Sequence, residues 1–291
     1  MATKRAARPH RQAKKKVVET TISPEPTAVD VSVIVLNFNT PKLTVSCVKS
    51  VIAHTKNIAY EIIVVDNAST DDSVSQFKKQ LPKTVKLVVA ERNLGFGPGN
   101  NLGSQAARGD YLFFINSDTL IETNCIAALT HFADLHPEYP LVGPTVLMPK
   151  TKTVQPASFG KLPSLWRLIT RQQNAPCKID QRLDYSETEW VTGAAIFILA
   201  DVFIAVGGFD SRFFMYFEDQ DLAAGVRSLG GKVAVVHAAE IIHLGGKSIG
   251  KKKVRFQYYD ESQVKYFMKH RGLIVTGLLL LLRLPWRLLR R

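Results

Sequence analysis

The chain has 291 residues, 46% of them hydrophobic and 22% charged, a balance that excludes wholesale disorder and a collagen-like repeat. No run of about 18 uninterrupted apolar residues occurs, which excludes a polytopic membrane protein. Three scattered cysteines, Cys47, Cys125 and Cys177, argue against a disulfide scaffold or a zinc cluster and fit a reducing compartment. The net charge of +13 resides in the ends: residues 1–16 hold seven Lys/Arg and no acid, and residues 247–291 hold twelve against Asp260 and Glu261. The body between them is slightly acidic, so a nucleic-acid groove on it is not supported.

Residues 1–29 are basic, then Thr/Pro-rich, without hydrophobic periodicity; they read as a mobile tail. No apolar stretch follows the basic run, so a signal peptide is not expected. Val31–Phe38 is a continuous β-branched run, as a strand buried on both faces should be. Thr40-Pro41 starts a helix with proline in its first turn, and Leu43, Val48, Val51 and Ile52 continue it. Glu61–Val65, Val85–Ala90 and Tyr111–Ile115 follow as strands with helices between them. Ile121–Leu135 reads as a helix and Leu141–Leu147 as a fifth strand. Repeated βα units imply a mostly parallel sheet covered by helices, an α/β fold.

Residues 149–190 lose periodicity and read either as a substrate-facing lid or as a plain connection. An apolar segment returns at Ala194–Val206, then the acidic run Phe213–Leu222, a strand at Lys232–Val236 and a His/Gly turn at His243–Gly246. Leu273–Leu282 is apolar for ten residues, and Arg283, Trp286, Arg287, Arg290 and Arg291 follow. Leucines, a Trp and basic residues suit a helix lying in an anionic membrane interface. A buried core helix is the alternative.

Ligands of open α/β sheets bind beyond the carboxyl ends of the strands. Those positions carry Asn37 and Asn39, Asp66 and Asn67, Arg92, Asn93 and Gly95, then Asn116 and Asp118. Turn formation explains any one of these, but explains four successive strand ends poorly. A carboxylate at Asp118, fixed by rigid sheet, can hold Mg²⁺ or Mn²⁺ that in turn binds a diphosphate. The turn Gly95-Phe96-Gly97-Pro98-Gly99-Asn100 fails the dinucleotide-binding spacing, because Asn100 stands where the third glycine belongs. Glu218, Asp219 and Asp221 crowd three carboxylates into four residues, which suits a general base or complements a helix N-terminus. His243 reads as a metal ligand, a phosphate contact or a loop histidine.

Taken together, VSVIVLNFN, EIIVVDNASTDDS, ERNLGFGPGNNLG, DYLFFINSDT, WVTGAAIFI, GGFDSRFFMYFEDQDL and IIHLGG, in that order over residues 31–246, resemble glycosyltransferase family 2. The likeness is greatest to its bacterial rhamnosyltransferase-like branch, which builds cell-surface polysaccharide. The resemblance implies one nucleotide-diphospho-sugar transferase domain (the GT-A fold) at 30–250, flanked by the 1–29 tail and a membrane-associating segment at 251–291. It implies an inverting transfer, rhamnose among the candidate sugars, to a glycan or polyprenyl-linked acceptor. By position it implies that Asp66 contacts the nucleobase, Asn37 and Asn39 line the nucleotide pocket, and Asn93 and Gly95 wall the ribose and diphosphate. Asp118 ends the family's metal-binding triplet, which here begins with Asn116 in place of the commoner Asp, so that His243 gains weight as a second ligand. Asp219 takes the place of the catalytic base with Glu218 beside it, while Thr192, Gly193 and Asp221 fall on the acceptor side. Divalent Mg²⁺ or Mn²⁺ is the implied cofactor, and the cytoplasmic face of the inner or plasma membrane, held peripherally, the expected location.

Overall fold

The computed structural model describes residues 28–170, 179–180, 182–245 and 252–288. The first half alternates β1 (Val31–Asn37), α1 (Pro41–His54), β2 (Tyr60–Asp66), α2 (Ser73–Gln80), β3 (Lys86–Val89), α3 (Phe96–Ser104) and β4 (Tyr111–Asn116). Then come β5 (Thr119–Leu120), α4 (Cys125–Leu135), β6 (Leu141–Leu147), β7 (Phe159–Gly160) and α5 (Leu165–Ile169). The chain continues through β8 (Tyr185–Thr188), β9 (Trp190–Val191), β10 (Ala195–Leu199), α6 (Ala200–Ala205), α7 (Glu218–Ser228), β11 (Val233–His243) and α8 (Lys252–Leu288). The tail 1–27, Cys177 and Gly246 lie outside the described residues, as do the side chains of Trp286, Arg287, Arg290 and Arg291.

One sheet runs in the order β3-β2-β1-β4-β10-β6-β11-β5, with β8 also on β11. Strand periodicity divides its two cores. Val31, Val33 and Val35 of β1 with Ala195 and Phe197 of β10 enter the core under α1 and α4. Ile34, Ile196 and Ile198 point the other way, into the core shared with α6 and α7. Both faces are covered, which is why these strands read as unbroken apolar runs.

The sheet is mixed, where repeated βα units pointed to a mostly parallel one. β3, β2, β1 and β4 are parallel, but β10 runs antiparallel to both β4 and β6. The consequence is functional: the loop entering β10 reaches the same edge as the carboxyl ends of the parallel strands, and Asn116 N–H donates to Ala194 O (3.0 Å). Two other boundaries shift. The segment expected to open a helix at Ile121 is preceded by β5, which pairs with β11, and the helix begins at Cys125. His243 is the last residue of β11 instead of a turn residue, because that strand runs on past a register shift between Val236 and Glu240.

Helix α8 is broken at Gly272 (φ 76°), a conformation open to glycine and strained for residues with a Cβ. Arg283 donates to Asp260 O (3.3 Å) and pairs with its carboxylate (3.2 Å), almost symmetrically about Gly272, so the two halves form a hairpin. Tyr266, Phe267 and Leu279 of the hairpin pack on Phe213 and Phe217 as a third core.

Candidate active site

The strand ends open onto a cavity of about 740 Å³, closed opposite by α5, the 214–217 segment and the start of α8. Asn93, Gly95, Asn116, Asp118, Thr192, Gly193, Glu218, Asp219 and His243 all line it. Asn37, Asn39, Asp66 and Asp221 do not.

Strand register builds one corner. β5 and β11 pair Thr119 with His243, and Leu244 N–H donates to Asp118 O (2.9 Å), so residues far apart in sequence are fixed side by side. His243 Nε2 lies 3.2 Å from Asp118 Oδ1 and 3.5 Å from Asn116 Nδ2. On its other side His243 Nδ1 stands 2.9 Å from Gln155 Oε1. A carbonyl oxygen can only accept, so Nδ1 donates in this contact and Nε2 is the ring atom that faces the carboxylate. Cis ligands of an octahedral divalent ion, each at about 2.1 Å, stand about 3.0 Å apart, so the pair fits such an ion. No cage of three or more His, Cys, Asp or Glu residues occurs among the described residues. Any ion here takes its remaining ligands from a bound diphosphate and water, as Mg²⁺-type sites commonly do.

The second corner is built on strained backbone. Tyr216 (φ 70°) and Phe217 (φ 68°) both adopt the left-handed conformation immediately before α7, which aims Glu218 and Asp219 into the cavity from the helix N-terminus. Asp219 Oδ2 accepts from Gly193 N–H (2.9 Å) and Oδ1 from Gln220 N–H (2.8 Å). Burial nevertheless pushes its carboxyl up to about 6, with those two bonds opposing. Glu218 is driven well above the carboxylate range, by burial first and then by the neighbouring Asp219 charge, and its Oε2 has no hydrogen-bond partner. One of the two carboxyls therefore stays protonated while the other ionises near neutrality.

On the nucleotide side, three of the expected residues make hydrogen bonds within the sheet edge itself. Asn37 is a structural hub: its Nδ2 donates to Asp66 Oδ1 (2.8 Å) and Ser69 Oγ (2.9 Å), and its Oδ1 accepts from Thr44 Oγ1 (2.7 Å) and Thr40. Asp66 is 1% exposed, its second oxygen accepting from Ser69 N–H, so its carboxylate is spent on holding the turn. Asn39 is left-handed (φ 54°) and clasps Ser69 and Thr70 from outside. Polar side chains at strand ends mark the sheet edge correctly, but here three of them tie β1 to β2. Asp221, expected on the acceptor side, turns away from the cavity; it accepts from Lys269 (2.8 Å) and His270 (2.7 Å) and moors α8.

Asn67, singled out as a strand-end position, bridges Asn93 Oδ1 and Gly95 O through its Nδ2 (both 3.0 Å) at the cavity wall. Gln155, 88 residues from His243, has no signal in spacing at all. Gly95 is dictated by space: a Cβ there would stand 2.4 Å from Phe214 O.

Comparison with known proteins identifies the family and the fold. The model of "Glycosyl transferase family 2" matches residues 32–205. The N-acetylglucosaminyl-diphospho-decaprenol L-rhamnosyltransferase of Mycobacterium tuberculosis is 29% identical over 212 residues, 65% of this chain and 68% of that one. The rhamnosyltransferase WbbL of Escherichia coli K12 is 25% identical, over 61% of this chain and 71% of its own. Among solved structures, GalNAc-T7 with UDP, GalNAc and Mn²⁺ superposes with a TM-score of 0.58 at 18% identity, over 75% of this chain. The mannosyltransferase PcManGT of Pyrobaculum calidifontis, with GDP-Man and Mn²⁺, gives 0.54 at 19% over 78%. The chain spans 44% and 60% of those two chains, and the likeness establishes the shared nucleotide-sugar transferase (GT-A) fold.

Proposed function

The chain belongs to glycosyl transferase family 2, and from that premise we propose that it is an inverting enzyme of cell-surface polysaccharide synthesis. Its donor is a nucleotide-diphospho-sugar, rhamnose by analogy with the two bacterial relatives, and its acceptor a polyprenyl-linked glycan. The observation that carries this reading is a half-buried carboxylate, Asp219, held by two backbone N–H groups in the same cavity as the Asp118–His243 pair.

Inversion by single displacement needs one base. Asp219 takes the proton of the acceptor hydroxyl as that oxygen bonds to the anomeric carbon, and the bond from that carbon to the diphosphate breaks with its electron pair leaving on the nucleoside diphosphate. A carboxyl near 6 is ionised at neutral pH yet more basic than an ordinary one. Gly193 and Gln220 fix its orientation, and protonated Glu218 can donate to the bound sugar. Asp118 and His243 would hold a divalent cation, which when bound supplies positive charge against the departing diphosphate. Gln155 fixes the imidazole for that role.

We place the reaction at the cytoplasmic surface of a membrane. Ile274, Leu278, Leu281 and Leu282 form one exposed stripe on the second half of α8, opposite the buried Thr276 and Leu279. Among the described residues no helix is long and apolar enough to cross a bilayer, so the hairpin lies on it. Arg283, counted in sequence with the lipid-facing groups, instead turns inward to Asp260. Truncation after Gly272 would strip the third core of Leu279, so Leu278→Glu with Leu281→Glu is the cleaner test of docking: sedimentation with anionic vesicles should be lost and solubility kept. For the chemistry, a panel of nucleotide sugars is assayed for nucleoside diphosphate release with and without Mn²⁺ or Mg²⁺. Release from none of them, with a polyprenyl-linked glycan present, overturns the reading.

A further inference from the structure

Two arginines line the cavity, Arg167 from α5 and Arg255 from α8, and neither stands within ion-pair distance of a carboxylate among the described residues, although Arg167 is near enough to Glu189 to help hold its carboxyl low. Other cations in the vicinity are spoken for: Lys161 pairs with Glu189 (3.3 Å), and Lys269 with Asp210 and Asp221. Arg255 also lies near enough to Tyr216 to oppose the effect of burial on its phenol, which places it beside the strained segment that aims Asp219. Guanidinium groups left unpaired in a cavity are matched to an anion brought by a ligand, and their planar donor fork fits phosphate.

The sequence neighbours of these arginines make the ligand amphiphilic. Trp166, next to Arg167, is 68% exposed, and Phe256, next to Arg255, is 44% exposed. Each element thus sets an arginine on the cavity wall beside an aromatic residue that does not line the cavity. Leu168, Val254 and Tyr258 add apolar lining to the same part of the wall. A donor nucleotide has no use for such a rim, and its diphosphate is already provided for at Asp118 and His243.

We propose that Arg167 and Arg255 form a subsite for the diphosphate of a lipid-linked acceptor, with Trp166 and Phe256 flanking the path by which the lipid chain leaves. This rests on the reading of the chain as a transferase to a polyprenyl-linked glycan, and it assigns the acceptor's anionic head to particular side chains. The subsite delivers the acceptor hydroxyl to Asp219 and faces the apolar chain outward, as an enzyme docked on a bilayer requires.

The probe is farnesyl diphosphate, titrated calorimetrically into the full chain with EDTA present, against farnesol as the phosphate-free control. Wild type should bind the diphosphate at least about tenfold more tightly than farnesol, with UDP, GDP and dTDP failing to displace it. Arg167→Ala and Arg255→Ala should each weaken farnesyl diphosphate binding about tenfold, and the double variant should erase the preference over farnesol. Nucleoside diphosphate binding with Mn²⁺ should stay the same in all variants, which also controls for folding. Displacement by a nucleoside diphosphate, a parallel loss of nucleotide binding, or an unchanged double variant overturns the proposal. Failure of every nucleotide sugar to release its diphosphate, with farnesyl diphosphate binding intact, would instead support the subsite and sink the transferase reading.

Discussion

The two corners of the cavity are made in opposite ways. Asp118 and His243 are set by strand register on adjacent elements of one sheet, where pairing leaves little freedom. Glu218 and Asp219 hang from a loop whose last two residues are left-handed and gain nothing from local propensity. What holds that loop is α8. Ser262 Oγ donates to Met215 O (2.7 Å), Lys265 Nζ to Arg212 O (2.8 Å), and Lys269 ties Asp210 to Asp221. Rigid sheet positions the Asp118–His243 pair; long-range packing positions Asp219. A segment that reads in sequence as a membrane attachment is thus also the brace of the loop that carries Asp219.

The largest effect should come from the braced corner. Asp219→Asn removes the proton acceptor and should lower the transfer rate by about 10²–10⁴-fold while donor binding is kept. A variant retaining a tenth of the wild-type rate would move the base elsewhere. In wild type the rate should climb as pH rises through about 6 and level off above it, since only ionised Asp219 accepts a proton. Stability runs the other way at this residue. With the folded pKa raised, its contribution is fully present below the ordinary carboxylate range and lost as pH rises through about 6. Asp210, held low by Arg212 and then by Lys269, contributes above the ordinary range and loses its contribution as pH falls.

Next is the brace itself. Asp221 is 4% exposed, and Asp221→Ala leaves His270 unpaired and Lys269 with Asp210 alone. Because Lys269 and His270 are 31% and 23% exposed and Lys269 keeps Asp210, the loss should be about 1–2 kcal/mol, and thermal unfolding should begin a few degrees lower. If α8 acts on the base through the loop, kcat should fall at temperatures where the variant is fully folded, with nucleotide binding unaltered. Equal kcat would reduce Asp221 to a purely structural anchor.

The rigid corner should yield less to a change behind it. Gln155→Leu removes the acceptor that fixes the His243 ring, and losing such a support typically weakens metal affinity about 10–100-fold. Titrating Mn²⁺ against donor binding measures this directly, with His243→Ala and Asp118→Ala as the larger reference losses. If Gln155→Leu binds Mn²⁺ as wild type does while His243→Ala does not, sheet register alone orients the ring.

The same contrast decides what could be read from the sequence. The strands β1, β2, β4 and β6 were legible because burial on both faces leaves an unbroken apolar run, and Pro41 marked its helix for a local reason. Asp118, His243 and Asp219 were legible through the family's motifs. Their distances were not, because pairing of β5 with β11 is a tertiary fact. The antiparallel insertion of β10 left no trace in its composition, since strand direction does not alter a buried run. Gln155, Arg167 and Arg255 were missed because each belongs to a segment of poor periodicity or to the helix read as a membrane element. The partners of Asp221 were not legible, because an acid run at a helix start looks the same whether it faces a cavity or moors another helix.

The smallest effect tests the expectation for Asn37 on the nucleotide side. If Asn37 were a ligand contact, anything that lets its amide swing should alter donor binding. Thr44 Oγ1 donates to Asn37 Oδ1 at 2.7 Å, and both side chains are fully buried. Thr44→Val keeps the shape of that side chain and deletes the bond. Asn37 Oδ1 keeps its two longer contacts from Thr40, at 3.2 and 3.3 Å, so it is not left bare. The loss should be about 1 kcal/mol of stability, the net worth of one such hydrogen bond. Donor KM should stay within about twofold of wild type if Asn37 serves the β1–β2 turn alone, where it and Asp66 bond to each other and to Ser69. A KM that rises about tenfold while stability is unchanged would return both residues to the nucleotide pocket, with the β1–β2 turn opening when the donor binds.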